Sequence, residues 1–420
     1  MFKFIHAADI HLDSPLHKLD AYEGAPQEEI RQASRRAFDN LVETAMGEGV
    51  DFVLIAGDLY DGDWKDYNTG LHLVSQTAKL REAGIAVYIA AGNHDAASKI
   101  TKKLKLPENV HLFSANKPET FTIDELNVAL HGQSFAKPAI KIDLSHNYPA
   151  PLAGHFNIGV LHTCASGREG HEPYAPCTLE GLGSKEYNYW ALGHVHQYET
   201  LLDDPLVVFS GCIQGRHIRE TGPKGCVLVT VDDQGQPQPA FRPLDVIRWA
   251  IADVDASGAE SAYDVVDRVG RQLEKLVDQN EGLPLVVRVV IQGETSGHAE
   301  LLADVEHWGN EIRSAAIDSG GRVWVEKIKF HTTLPAAEQD FQKSDGAIGE
   351  LVSLFDEMAS NADMVQALAD EFRDIEKKIP KELKGAAGGL KFDDLDWLSE
   401  ILNQARPLLL QRLMRPGAAQ

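Results

Sequence analysis

Five short blocks hold residue types that could do chemistry together: Asp9-Ile10-His11, Gly57-Asp58-Leu59-Tyr60-Asp61, Gly92-Asn93-His94-Asp95, a lone His162 after an apolar run, and Gly193-His194-Val195-His196. They offer imidazole, carboxylate and amide donors with no paired thiolates. Such a mixed nitrogen and oxygen set suits Mn, Fe or Zn better than Ca or Mg. The donors are numerous enough for two ions with one carboxylate shared, as in binuclear phosphoester-cleaving sites whose metals stand about 3.5–4 Å apart. Asp58 is the natural bridge. Taken singly, each block has a plainer reading. Asp9 and His11 could mark a strand-to-loop turn, Asp58 and Asp61 a turn with a helix cap, and His162 a hydrogen-bonded core histidine. Only the set, in this order, points to metal.

The elements that must position these residues are legible beside them. Phe2–Asp9, Phe52–Ala56, Ile85–Ala90 and Ile158–Leu161 are largely apolar or β-branched runs that read as buried strands ending in turns. In a layered sheet, side chains at the ends of neighbouring strands converge on one crevice. Blocks spread over nearly two hundred residues could therefore meet at one point. Gly57, Gly92 and Gly193 suit tight turns where backbone passes close to the site.

With these residues in view, the chain resembles the calcineurin-like metallophosphoesterases. The opening Phe4-Ile5-His6-Ala7-Ala8-Asp9-Ile10-His11-Leu12-Asp13-Ser14-Pro15-Leu16 is similar to the DNA repair exonuclease branch, SbcD-like and of the bacterial YhaO type. Gly170-His171-Glu172-Pro173-Tyr174-Ala175-Pro176-Cys177 and Gln214–Gly225 carry the same likeness. It is good over 1–245, looser over 246–335 and general beyond. The resemblance implies that Asp9, His11, Asp58 and His196 hold one metal, and Asp58, Asn93, His162 and His194 the other. His94 would orient the phosphate and protonate the leaving oxygen, supported by Asp95. Manganese is the implied ion and a nucleotide 3′ oxygen the implied leaving group. An SbcC-like or YhaN-like coiled-coil ATPase is the implied partner, and homodimerisation through the phosphoesterase domain is a further implication.

Composition sets the outer bounds. At 420 residues, 43% apolar and 25% charged, the chain has the length for two or three domains with ample core. The N-terminus lacks the apolar segment of a signal peptide, and no stretch approaches the ~20 apolar residues of a membrane span. Cys164, Cys177, Cys212 and Cys226 are too few and scattered for a disulfide framework, so buried free thiols in the cytoplasm are expected. A net charge of −23 repels polyanions at long range and argues against broad nonspecific DNA affinity. Local basic spots remain: Lys99, Lys102, Lys103 and Lys105 after the His94 block, and Arg216, His217 and Arg219. The lysines read as a solvated helix face; Arg216 and His217 read as substrate-binding.

The expected fold class is α/β: a β-sandwich flanked by helices (1–245), a small α/β capping domain (246–335) and a helical C-terminal region (336–420). Helices are expected over 27–47 and 67–83. Strands at 126–132, 157–162, 188–192, 206–210 and 225–232 are expected to form a second sheet. The next region shows a βαβαβ pattern, with strands at 246–254, 285–291 and 322–331 and helices at 261–277 and 299–314. In the tail, Ile348, Leu351, Val352 and Phe355 keep helical spacing, as do Val365, Leu368, Phe372, Ile375 and Ile379. Pro380 closes that stretch, Gly385–Gly389 reads as a hinge, and a last helix from Asp393 meets a kink at Pro407. These amphipathic stretches could bind a partner helix or pack back on their own chain.

Three functions fit these readings. The first is a metal-dependent DNA nuclease, a 3′-to-5′ exonuclease of DNA repair working with an ATPase. The second is a phosphodiesterase or phosphatase on small nucleotides, against which the appended residues 246–420 argue. The third is a DNA-end-binding scaffold with vestigial catalysis, against which the intact ligand set argues.

Overall fold

The computed structural model describes residues 1–14, 29, 32–61, 67–97, 105–165, 174–320, 322–335, 347–376, 394–395, 397–399, 401–402 and 405. Two six-stranded sheets are formed by strands between Phe2 and Pro243. The first uses β1 (Phe2–Ala7), β2 (Phe52–Ala56), β3 (Ala86–Ala90) and β4 (Val110–Leu112). The second uses β5 (Glu119–Ile123), β6 (Val128–Gly132), β7 (Phe156–His162), β8 (Tyr189–Gly193), β9 (Glu199–Asp203) and β10 (Leu206–Phe209). The chain then returns to the first sheet with β11 (Gly225–Val231) and β12 (Pro237–Pro243), giving the orders β12-β11-β1-β2-β3-β4 and β5-β6-β7-β8-β10-β9.

The strands' apolar runs explain this layering. In β1 and β2, alternate residues point to opposite faces. Phe4, Phe52 and Leu54 meet Leu130, Ile158, Val160, Tyr189 and Val208 of the second sheet in a shared core. Ile5, Val53 and Ile55 instead meet Ala37, Phe38 and Leu41 of the helix Ala33–Glu48, and Leu73 and Leu80 of the helix Tyr67–Glu82. Strands buried on both faces are nearly continuous apolar runs, and the buried His6 of β1 is accommodated by hydrogen bonds to Tyr189 and Leu192 O. Leu161, Trp190, Leu192, Val207 and Phe209 cover the outer face of the second sheet together with loop residues such as Phe135, Tyr148 and Tyr187.

The pairing directions put the site at one edge. β1, β2, β3 and β4 run parallel, and so do β6, β7, β8 and β10. The residues following β1, β2, β3, β7 and β8 therefore emerge together from the carboxyl ends of both sheets. One expectation is corrected here. Residues 225–232 do not extend the second sheet, because β11 pairs antiparallel with β1 from Phe2↔Val231 to His6↔Val227.

The expected βαβαβ region consists of β13 (Arg248–Asp255), the helix Ala262–Gln279, β14 (Leu285–Glu294), two further helices and β15 (Val323–Thr333), with sheet order β13-β14-β15. The single helix expected over 299–314 is two, His298–Ala303 and Val305–Asp318. Asp304 leaves helical geometry at φ −146° and ψ 72°, and its carboxylate caps the second helix by accepting from His307 N–H.

The chain divides into two compact units that do not follow sequence order. One comprises Met1–Ile251, Leu276–Arg288 and Arg322–Glu326, and the other Ala252–Lys275, Val289–Gly321 and Lys327–Gln420. In the tail, helices Ala347–Ser360 and Ala362–Glu376 are present. Val365 and Ala369 pack with Leu398 and Leu402, flanked by Phe355, Leu368, Phe372 and Trp397, so this apolar stripe is covered by its own chain. The expectations for residues 27–28 and 30–31, Lys99, Lys102, Lys103, Gly170–Pro173, Ile379, Pro380, Gly385–Gly389, Asp393 and Pro407 lie outside the described residues. Among the described residues no helix is long and apolar enough to cross a membrane.

Candidate metal centre

Each ligand block sits where a strand ends, and the turns there are tight. Asp9 (φ 49°), His11 (φ 44°), Asp58 (φ 51°) and His194 (φ 104°) all hold left-handed backbone conformations that non-glycine residues rarely adopt. The β1 and β2 turns are stitched together by Asp9 N–H to Gly57 O and His11 N–H to Asp58 O, both 3.0 Å. Glycine is required beside them. A Cβ on Gly92 would run into Asp58 Oδ1, and one on Gly57, at φ +96°, would strike the His162 ring.

The side chains converge. One donor atom from each of Asp9, His11 and His196 lies within 4.8 Å of the others, and the same holds for Asp9, Asp58 and His162. The two groups share Asp9, and Asp58 also groups with His11 and His94, so the donors surround adjacent positions. Asn93 Oδ1 lies 2.9 Å from His162 Nε2. His194 stands outside these tight groups, but its ring centre is 5.2 Å from that of His162 and its N–H donates to Asp9 Oδ2 at 2.9 Å.

Whether these residues fit metal can be judged from their unmet bonds. Asp9 Oδ1 and both ring nitrogens of His11 are buried without a hydrogen-bond partner. Leaving buried polar atoms unsatisfied costs about 1–3 kcal/mol each, and native structures rarely tolerate it outside functional sites. Coordination of a cation would satisfy Asp9 Oδ1 and one His11 ring nitrogen, while the other nitrogen carries the ring proton. The donor set fits.

The ionisable groups of the site shift one another strongly. Burial pushes the Asp9 carboxyl above its usual range, a shift that His196 and His162 only partly oppose. Burial lowers the His11 imidazole to about 3, helped by the nearby Arg216 charge. Burial would also lower His162, but the Asp58 carboxylate and then Asp9 outweigh it and push the imidazole up to about 9. Burial opposes ionisation of Asp58 too, yet His162, His11 and His94 hold its carboxyl far below the ordinary value. Two neighbouring buried carboxylates thus shift in opposite directions, because the imidazoles favour ionised Asp58.

His94 is arranged differently. Its side chain is 40% exposed, and its Nδ1 lies 2.9 Å from Asp61 Oδ1. The Asp61 hydrogen bond raises the His94 pKa against partial burial, which keeps a proton on the ring. Asp95, expected to support His94, does not. It is buried, and its carboxylate accepts the backbone N–H groups of Gly92, Leu59 and Tyr60. Asp95 therefore pins the Asp58 turn to the Asn93 turn, while burial and the Asp58 charge push it up to about 6. His94 and Asp95 are consecutive in the short helix Asn93–Ala97, where neighbouring side chains diverge.

Arg216 and His217 do reach the site. The Arg216 side chain is 12% exposed, donates from Nη1 to Ser14 Oγ at 3.2 Å, and lies 3.7 Å from Asp61 Oδ1. His217 is more open and places Nε2 3.3 Å from Glu220 Oε1. Asp61, Ser14 and Glu220 received no role from the sequence. Asp61 sits in the Gly57 block and Glu220 in the Gln214–Gly225 stretch, so their presence was visible but their partners were not.

Residues 2–198 match the calcineurin-like phosphoesterase family, and residues 249–333 match the middle domain of metallophosphoesterase YhaO. The chain is similar to an uncharacterized metallophosphoesterase YhaO of Bacillus subtilis (strain 168), with 36% identity over 294 residues covering 69% of this chain and 71% of that protein. It is also similar to a DNA double-strand break repair protein Mre11 of Methanopyrus kandleri, 31% identical over 212 residues, covering 46% of this chain and 44% of that one. An SbcCD nuclease component from Staphylococcus saprophyticus is 24% identical over 274 residues, covering 59% of this chain and 70% of that one.

Proposed function

The chain belongs to the calcineurin-like metallophosphoesterases, and on that premise we propose that it is a two-metal-dependent DNA nuclease, a 3′-to-5′ exonuclease of cytoplasmic DNA repair. The observation that carries the reading is the convergence of Asp9, His11, Asp58, His162 and His196 from separate strand ends, with Asp9 Oδ1 and both His11 nitrogens buried and without a hydrogen bond. Asp9, His11, Asp58 and His196 would hold one divalent cation, and Asp58, Asn93, His162 and His194 the other, manganese being the ion we favour. Such ions supply a nucleophile at neutral pH and neutralise the charge that develops on phosphorus oxygens.

The chain's own residues do the rest. Asp61 orients His94 through Nδ1, leaving Nε2 to deliver a proton to the departing 3′ oxygen. Asp95 fixes the two turns that carry Asp58 and Asn93. Arg216 and the more exposed His217 face the incoming phosphate. A coiled-coil ATPase partner of the SbcC or YhaN kind is supported by the likeness to one component of the SbcCD nuclease, although the apolar stripe of the tail packs on its own chain. With a net charge of −23, affinity for DNA must come from the site and its partner rather than from the whole surface.

The test is a time course on end-labelled single- and double-stranded DNA, with and without manganese, comparing wild type with His94→Gln. The expected result is manganese-dependent loss of nucleotides from 3′ ends, reduced by roughly 10²–10⁴-fold in the variant while both ions remain bound. Hydrolysis of a chromogenic phosphodiester with DNA left intact would favour a small-nucleotide phosphodiesterase.

A further inference from the structure

We infer that Glu220 is a positioning residue that fixes His196 with Nδ1 turned inward and Nε2 free to bind a cation. The inference rests on the two-cation reading above. Glu220 Oε1 lies 2.5 Å from His196 Nδ1, while His196 Nε2 faces Asp9 Oδ1 at 3.7 Å. An imidazole can ligate only through a nitrogen that carries no proton. A carboxylate can only accept, so it holds the proton on Nδ1 and leaves the Nε2 lone pair toward Asp9.

Glu220 is suited to this task by what else it does. Its second oxygen accepts the Arg216 N–H at 2.6 Å, and its own N–H donates to His217 O at 2.8 Å. Both oxygens are thus acceptors at once, and the side chain is only 6% exposed. The Arg216 guanidinium lies 3.9 Å from Glu220 and 3.7 Å from Asp61. One arginine therefore stands between the carboxylate that holds His196 and the carboxylate that holds His94.

Glutamine cannot replace this arrangement. It has one acceptor oxygen and one donor amide. Either the amide meets the Arg216 N–H, donor against donor, or it faces His196 Nδ1 and drives the proton to Nε2.

Two measurements decide. Isothermal titration of metal-free protein with Mn²⁺ is expected to give two ions for wild type. In Glu220→Gln, one of the two should bind roughly 10–100-fold more weakly, and Glu220→Asp should restore part of the loss. Two ions bound by Glu220→Gln with wild-type affinity would overturn the inference. The second measurement is ¹⁵N-histidine NMR of metal-free wild type, with His196 assigned by difference from His196→Asn. A protonated Nδ1 is expected, and a bare Nδ1 would refute the role whether or not the glutamine variant folds. If wild type binds no manganese, the two-cation reading fails, while the NMR result still decides whether Glu220 holds His196.

Discussion

The carboxyl edge of the two large sheets and the three-stranded sheet of β13, β14 and β15 follow opposite rules. At the first, Asp9, His11, Asp13, Asp58 and His194 all have positive φ, and Asp9 and His11 bury atoms without a hydrogen bond. In and around the second, charges are matched. Arg248 forms a two-bond pair with Asp245, Arg288 with Glu326, and no buried unpaired side-chain atom is found there among the described residues. Strain and unmet bonds are tolerated only where surrounding structure forces them and something is gained. A place in the fold that violates ordinary packing rules is therefore a better pointer to function than a charged cluster that obeys them.

Three substitutions would sharpen that contrast, beginning with the largest effect. Asp58→Ala should abolish activity and manganese binding together, because its carboxylate groups with donors on both sides of the site. Retention of two tightly bound ions in this variant, read by titration, would break the comparison at its strained end.

Asp61→Asn should lower turnover by roughly 10–100-fold and move the alkaline limb of the pH–rate profile to lower pH. The sign follows from the role. A proton donor works only while protonated, and the Asp61 hydrogen bond raises the His94 pKa, extending the protonated form upward from about 6.5. Removing the carboxylate charge returns the limb downward. An unchanged limb in kcat profiles would separate Asp61 from proton delivery.

Arg288→Ala should have the smallest effect. Its two bonds to Glu326, at 2.9 and 2.8 Å, are partly exposed, so losing them should cost about 1 kcal/mol in a chemical denaturation curve. Hydrolysis of a small phosphodiester should not change. A large drop in that activity would erase the distinction between the two regions.

Much of the catalytic edge was legible in the amino acids. Apolar runs ending in Asp, His and Asn read as strands whose tips carry polar groups, and the glycines show where backbone must pass close. What escaped was which group holds which. Asp95 follows His94 in sequence, but one step along a helix turns a side chain away, so its carboxylate meets the Leu59 and Tyr60 N–H groups instead. Asp61 reaches His94 across two turns, a pairing no local pattern encodes. The placement of β11 was missed for the same reason: an apolar strand does not say which of two sheets it will join, and only the β1 edge left open by β2 decided it.

The sequence by itself determined the donor types, the strands that deliver them and the need for a coordinated ion, because those follow from side-chain chemistry and short-range periodicity. The tertiary structure alone decided the pairings: Asp61 with His94, Glu220 with His196, and Arg216 between the two carboxylates. Hydrogen bonds depend on distances of a few tenths of an ångström between loops far apart in the chain, and those distances exist only once both sheets have packed.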